Sequence, residues 1–195
     1  MGDIREQTVM ATSKTTEQKV KLILGDFSHH KLKTPIGTRD TSAITVIQSA
    51  FKEVININDG KNPSPISDYE SFEKFSLFTW LQNDYANAIP SELNNMVKEC
   101  VFNTWDYKNI YDAKDYNKIH YISAKYCVPS VAEFNGNYTV PNTNLIFNST
   151  NEQNEPLEYI VNSGTTGLKI INDSKAWLRN VYSHIDVGNM TCATR

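Results

Sequence analysis

Histidine and cysteine are the residue types in this chain with the widest chemistry, because they bind metals and act as bases or nucleophiles. The chain has four histidines and three cysteines. His29 and His30 are adjacent, whereas His120 and His184 stand alone. Adjacent residues point to opposite faces of a strand and lie about 100° apart on a helix. The spacing therefore predicts no metal site, and we expect the His29–His30 pair to be solvated in a loop.

The three cysteines are Cys100, Cys127 and Cys192, an odd number with no Cys-x-x-Cys pair. Cys100 falls on the apolar stripe of a predicted helix, which favours an inert core thiol, and Cys127 is kept as a candidate nucleophile. The sequence contains no nucleophile elbow, no phosphate-binding glycine loop and no His-Glu-x-x-His motif. We therefore predict no catalytic residue, no metal and no cofactor.

Five of the ten tyrosines lie between positions 107 and 126. Four of them are five residues apart, a step that scatters rings around a helix and alternates them across a strand. Neither geometry makes the one-sided platform on which bases stack. The spacing favours tyrosines that line a core and keep their hydroxyls solvated. A contact surface assembled from loops stays open, and its candidate interface residues are Tyr107, Tyr111, Tyr116 and Trp177.

Composition excludes several classes of function. The net charge is −3 and no run of five like charges occurs, which argues against nucleic acid as a partner. The first residues carry no apolar signal segment, and no stretch approaches 18 apolar residues. We therefore expect synthesis in the cytoplasm with no signal peptide, reduced thiols, and a virion as one destination. A chain of 195 residues fits a single domain.

Periodicity predicts the elements that must position these residues. Apolar steps of three and four residues predict helices at about 42–58, 67–87 and 91–105, the second opened by a capping box of Ser67 and Glu70. After residue 105, short β-branched and aromatic runs predict strands, including "KIHYISAKYCV" and "LEYIV", with a hairpin turn at Asn172-Asp173. Residues 1–40 are left open as an arm, a strand or a helix, since "VKLIL" fits either element. The predicted fold is α+β, with helices 41–105 packed on a mainly antiparallel sheet from residues 106–195.

These observations together favour a non-enzymatic structural or interaction protein. We expect it to work inside a larger assembly, by self-association or with protein partners, and a virion or phage tail component is the concrete version. Two alternatives remain. One is a membrane-active, toxin-like protein that uses the aromatic helix 67–87. The other is a small hydrolase or transferase whose site is assembled in space from residues such as His29, His30 and Cys127.

Overall fold

Antiparallel sheets and short helices make up the computed structural model of this chain. It describes residues 4–10, 17–48, 72–105, 119–139, 146–161, 181–183 and 190–192. Mixed helices and antiparallel sheets support the predicted α+β class. Most strands, however, lie in the N-terminal half, so the prediction that the sheet comes from the C-terminal half is wrong.

The first sheet has three strands in the order β1-β2-β5. These strands are Ile4–Met10, Glu17–Phe27 and Ile44–Gln48, and both pairings are antiparallel. Strand β2 settles the open assignment of "VKLIL" as strand. Strand β5 replaces the start of the helix predicted at 42–58, whose remaining residues lie outside the described part. The run Ile44–Ile47 consists of four β-branched residues that alternate in exposure, which suits a sheet better than a helix.

The second sheet has four strands in the order β4-β3-β6-β7. They span Arg39–Thr41, Lys31–Ile36, Cys100–Trp105 and Ile119–Ala124. Strand β7 confirms the strand predicted in "KIHYISAKYCV". Strand β6 contradicts the end of the helix predicted at 91–105. That helix ends at Met96, and the burial of Cys100, Phe102 and Thr104 alternates as a strand requires.

The helix predicted at 67–87 is confirmed from residue 76 onward. A 3₁₀ turn at Phe72–Lys74 leads into α1 at Ser76–Trp80, a π-helical turn at Leu81–Tyr85 and α2 at Ala86–Ala88, and α3 at Ser91–Met96 follows. The proposed capping box at Ser67 and Glu70 lies outside the described residues, as does the hairpin turn at 172–173. Among the described residues no helix is both long and apolar enough to span a bilayer.

Three further helices follow β7 along the chain. They are α4 at Val131–Asn135, α5 at Ser149–Glu152 and α6 at Glu158–Val161. Helix α6 replaces the strand predicted in "LEYIV": the backbone nitrogens of Ile160 and Val161 donate to the carbonyl oxygen of Leu157, as in a helical turn. The remaining strands are short: β8 (Tyr138–Thr139) pairs with β9 (Ile146–Phe147), and β10 (Val181–Ser183) pairs with β11 (Met190–Cys192).

A cluster of buried side chains joins both large sheets to these helices. Its members include Ile23 of β2, Leu32 of β3, Phe75 before α1, Ile122 of β7 and Phe134 of α4. The aromatic residues on which the membrane-active alternative depends therefore belong to the core, since Phe72 and Phe75 are buried and Phe78 packs against them.

Candidate metal centre

The turn between β2 and β3 carries both adjacent histidines. Ser28 has a positive φ of 53°, which bends the chain out of the strand before His29. The backbone nitrogen of His30 donates to Ser42 Oγ at 3.1 Å, and Ser42 N donates to the carbonyl of His30 at 2.7 Å. The turn is therefore held against the chain that leads into β5. Because the two histidines lie in an irregular turn, the alternation of a strand does not separate their side chains.

Asp26 stands at the end of β2, where a β-bulge shifts the register between Leu24 and Asp26. A bulge redirects the side chains that follow it. Gly25 permits a close approach here, since an added Cβ would lie 3.3 Å from the carbonyl oxygen of Thr45. Asp26 Oδ1 accepts a hydrogen bond from Phe27 N at 2.7 Å, and Asp26 Oδ2 lies 2.9 Å from His29 Nδ1.

Glu133 reaches the same place from α4, about 100 residues further along the chain. It forms a capping box with Ser130: Ser130 Oγ accepts from Glu133 N at 3.2 Å, and Glu133 Oε2 accepts from Ser130 N at 2.9 Å. The carbonyl of Glu133 also accepts from Leu157 N at 3.0 Å. One carboxylate oxygen is thus bound to the helix, and Oε1 points to the histidines.

The two imidazoles and this carboxylate converge on one point. Glu133 Oε1 lies 3.7 Å from His29 Nε2 and 3.9 Å from His30 Nδ1, and one ligand atom from each residue lies within 4.8 Å of the other two. The side chains of His29, His30 and Glu133 are 6%, 12% and 2% exposed. The expectation of a solvated histidine pair is therefore wrong. The ring of His30 also contacts Phe102, with centroids 4.6 Å apart, so packing fixes its position.

The protonation of His29 depends on this environment. Burial is the largest single influence and lowers the pKa of His29, but the carboxylates of Glu133 and Asp26 together raise that pKa above its ordinary value. Since a carboxylate only accepts hydrogen bonds, His29 Nδ1 carries the proton that it shares with Asp26. The lone pair of Nε2 then faces Glu133 in the neutral ring. In metal sites this carboxylate–histidine pairing orients the ligand and fixes its tautomer.

Two imidazoles and one carboxylate form a donor set that fits a transition metal. Zinc takes histidine nitrogen at about 2.0–2.1 Å and carboxylate oxygen at about 2.0–2.2 Å, and a His₂Glu set occurs in zinc hydrolases. Ligand atoms around a tetrahedral zinc ion are about 3.4 Å apart with such bonds. The two distances from Glu133 Oε1 exceed this separation by about 0.3–0.5 Å, and the remaining pair of ligand atoms is at most 4.8 Å apart, so the three side chains must draw closer together to hold an ion.

The other predicted residues either lie outside the described part of the chain or stand in other surroundings. The interface candidates Tyr107, Tyr111, Tyr116 and Trp177 lie outside the described residues, and so does His184. His120 Nε2 lies 3.8 Å from Glu73 Oε1, and both side chains are half-exposed. Cys100 is buried and burial raises the pKa of its thiol, which agrees with the inert role expected of it. Cys127 is half-buried and belongs to the periphery of the core.

Asp26 and Glu133 were not predicted as site residues. The Ser-Val-Ala-Glu pattern at 130–133 is a recognisable capping box, but it predicts only a helix start and not a buried carboxylate. Comparisons of the chain with models of protein families, with curated proteins and with solved structures find no match. The geometry of the cluster is therefore the basis for the proposed function.

Proposed function

We propose that this protein binds one divalent transition-metal ion through His29 Nε2, His30 Nδ1 and Glu133 Oε1. The observation that carries the proposal is the convergence of these three ligand atoms within 4.8 Å. Imidazole nitrogen suits zinc, copper, nickel and iron, whereas calcium and magnesium require mostly oxygen ligands. Zinc is the expected occupant among common ions because two imidazole nitrogens and one carboxylate oxygen are a donor set that zinc proteins use.

The burial of the Glu133 carboxylate independently supports the proposed metal site. A carboxylate with 2% of its side chain exposed needs a compensating charge or strong hydrogen bonds. A divalent ion would supply that charge to Glu133 and would leave Asp26 as the partner of His29. The competing occupant is a proton on His29, which would make the cluster an ion pair of an imidazolium with two carboxylates.

The ion would also tie together elements that are distant in sequence. His29 and His30 lie between β2 and β3, whereas Glu133 lies on α4. Metal binding that requires the folded arrangement adds its free energy to folding. The primary role of the site is therefore to hold the β2–β3 turn against α4.

Titration of chelator-treated protein with zinc tests this function by calorimetry and by measuring the bound metal. We expect one zinc per chain and no comparable binding of magnesium. His30→Gln should weaken zinc binding by more than about 100-fold, since a ligand matters at least as much as the residues behind it. The matched control is His120→Gln, which alters a histidine beside a single exposed carboxylate and should bind zinc as the native chain does. Equal zinc binding by the native protein and by His30→Gln would refute the site.

As a second role, we propose protein–protein contacts within a larger assembly, which keeps the interaction function expected from the sequence. A specific observation favours it: apolar side chains of β2 and β5 are exposed on one face of their pairing. Phe27 and Ile44 lie opposite each other and are both 52% exposed, and Val46, which lies opposite Leu24, is 42% exposed. Exposed apolar patches of this kind often mark interaction sites. A virion or tail component is one form of that role.

Light scattering coupled to size-exclusion chromatography tests the second role. We expect the native chain to elute as a species larger than a monomer, or a protein partner to be isolated together with it from its native source. Val46→Lys should reduce either association, because it places a charge in the centre of the apolar face. Met96→Lys serves as the control, since Met96 is exposed at 74% and belongs to α3, outside this sheet. This role would be excluded if the chain stayed a monomer at all concentrations and no partner was isolated with it.

A further inference from the structure

Helix α6 contacts both parts of the chain that carry the proposed metal ligands. On the side of α4, Leu157 N donates to the carbonyl oxygen of Glu133 at 3.0 Å. At the end of β2, Glu158 N donates to Asp26 Oδ2 at 3.4 Å, and the same oxygen lies 2.9 Å from His29 Nδ1. Two consecutive N–H groups at the start of α6 therefore bind one proposed ligand residue and the residue that orients another.

The contact between α6 and β2 continues on both sides of Asp26. A Cβ added to Gly25 would lie 3.4 Å from Leu157 Cδ1, so the strand and this leucine approach each other closely. The rings of Phe27 and Tyr159 meet edge to face, with centroids 5.6 Å apart and planes at 82°. Residues 25, 26 and 27 therefore contact residues 157, 158 and 159 in the same order.

Buried side chains hold α6 in this position. Leu157 is 2% exposed and Ile160 is fully buried, and both belong to the core cluster. A Cβ added to Gly136, directly after α4, would lie 3.1 Å from Val161 Cγ1, so the end of α6 also packs closely against the end of α4. Because α6 packs against both β2 and α4, its position affects the distance between ligands that come from these two parts of the chain.

We infer that α6 positions the ligands of the proposed metal site, that Asp26 is the positioning residue through which α6 acts on His29, and that metal binding and the docking of α6 stabilise each other. The three ligand atoms must draw closer together to hold an ion, and a docked α6 keeps β2 and α4 side by side for this step. Coupling between two such events is reciprocal, so the ion must protect α6 against opening. The inference rests on the proposed metal function and adds a helix whose stability depends on the ion.

Hydrogen exchange of the full chain, measured by NMR with chelator and with saturating zinc, tests the reciprocal effect. The amides of Ile160 and Val161 donate to the carbonyl of Leu157 and report the opening of α6. The amides of Asn94 and Val97 make the equivalent bonds at α3, which holds none of the proposed ligands, and are internal controls. We expect zinc to slow exchange in α6 about fivefold more than at α3, the lower end of typical coupling between sites.

Zinc titration of Glu158→Pro and Glu158→Ala isolates the hydrogen bond to Asp26. Glu158 is the first residue of α6, a position that tolerates proline because its N–H has no partner within the helix. Both variants lose the exposed carboxylate, but only Glu158→Pro loses the N–H. Glu158→Ala should bind zinc within about threefold of the native affinity, since exposed charges interact weakly. Glu158→Pro should bind zinc about fivefold more weakly than Glu158→Ala, the fold change that one hydrogen bond represents.

The outcomes separate this inference from the metal function. A native chain that binds no zinc overturns both. Zinc that binds but slows exchange in α6 no more than at α3 overturns the coupling and leaves the metal site in place. Equal zinc affinity in Glu158→Pro and Glu158→Ala overturns the part assigned to Asp26. If Glu158→Pro does not fold, the exchange measurement on the native chain decides by itself.

Discussion

Replacement of Glu133 by glutamine is expected to abolish tight zinc binding while the metal-free protein keeps its fold. Glutamine serves at the third helical position of a capping box as glutamate does, so its side-chain oxygen can still accept from Ser130 N. The change removes the negative charge that faces His29 and His30. We expect zinc affinity to fall by more than about 100-fold, since replacing even a residue behind a ligand costs about 10- to 100-fold.

Thermal unfolding gives a direct measurement of this difference. Zinc at about 100 times its dissociation constant stabilises the native protein by about 2.7 kcal/mol. For a chain of this size that free energy raises Tm by roughly 5–10 °C. Glu133→Gln should show no such shift at the same zinc concentration.

Two controls separate the charge of Glu133 from its part in the helix cap. Glu133→Ala removes both, so its metal-free form should lose about 1 kcal/mol more than that of Glu133→Gln. Glu73→Gln removes an exposed carboxylate beside His120 and should leave the zinc-dependent shift unchanged. A zinc-dependent rise in Tm that survives in Glu133→Gln would show that the ion binds elsewhere.

Sequence patterns within one segment correctly predicted the elements that depend mainly on that segment's own residues. The aromatic helix is present from Ser76 because Phe75, Leu81 and Tyr85 of the predicted stripe are buried and Phe78 between them packs against the core. Strand β7 is present because Ile122 and Ala124 alternate with more exposed neighbours. The inert environment of Cys100 also followed from its apolar neighbours, even though the element around it is a strand and not a helix.

The wrong predictions fall on segments that could form either a helix or a strand. In these segments, pairing with a strand that is distant in sequence decides which one forms. Ile44, Ile47 and Phe51 recur at helical steps, yet Ile44 and Ile47 also lie in a β-branched run that pairs with Phe27 and Ile23 of β2. Sequence spacing alone cannot weigh that strand partner against a helix. The same holds for residues 100–105, which pair with β7 after an intervening segment.

The candidate metal centre could not be predicted from the sequence for a related reason. The rule that adjacent residues diverge applies to regular elements, and Ser28 with its positive φ removes the regular element at His29 and His30. Glu133 joins them only through the fold, across about 100 residues of chain. The burial that distinguishes this carboxylate from a solvated capping residue is a tertiary property, which the Ser-x-x-Glu pattern does not report.

Acidity is expected to affect the metal-free and metal-bound proteins in opposite directions. In the metal-free protein, Asp26 and Glu133 hold the pKa of His29 above the ordinary value of about 6.5. A group whose pKa is higher in the folded state stabilises that state when protonated. This contribution is complete below the ordinary pKa and disappears as the pH rises through the higher folded pKa. Metal-free stability should therefore fall with pH across this interval.

Zinc binding requires the lone pair of His29 Nε2, so the ion must displace the proton that stabilises the metal-free protein. Below the folded pKa of His29 the zinc affinity should rise by up to about tenfold per pH unit, because one proton leaves for each ion bound. His29 is faced by Asp26 from β2, by His30 in the same turn and by Glu133 from α4, and the exposed Glu158 lies beyond Asp26.

Unfolding curves with chelator and with zinc, taken over about pH 5 to 8, measure both effects. His29→Gln should flatten the chelator curve in this interval and remove the zinc response, because the variant has neither a titrating ring nor its ligand nitrogen. The two trends share one cause, since the carboxylates that attract the proton to His29 are the charges that would attract the cation. A zinc affinity that stays constant across the interval while the metal-free stability falls would mean that the ion does not compete for this proton, and the ligand role of His29 would then be wrong.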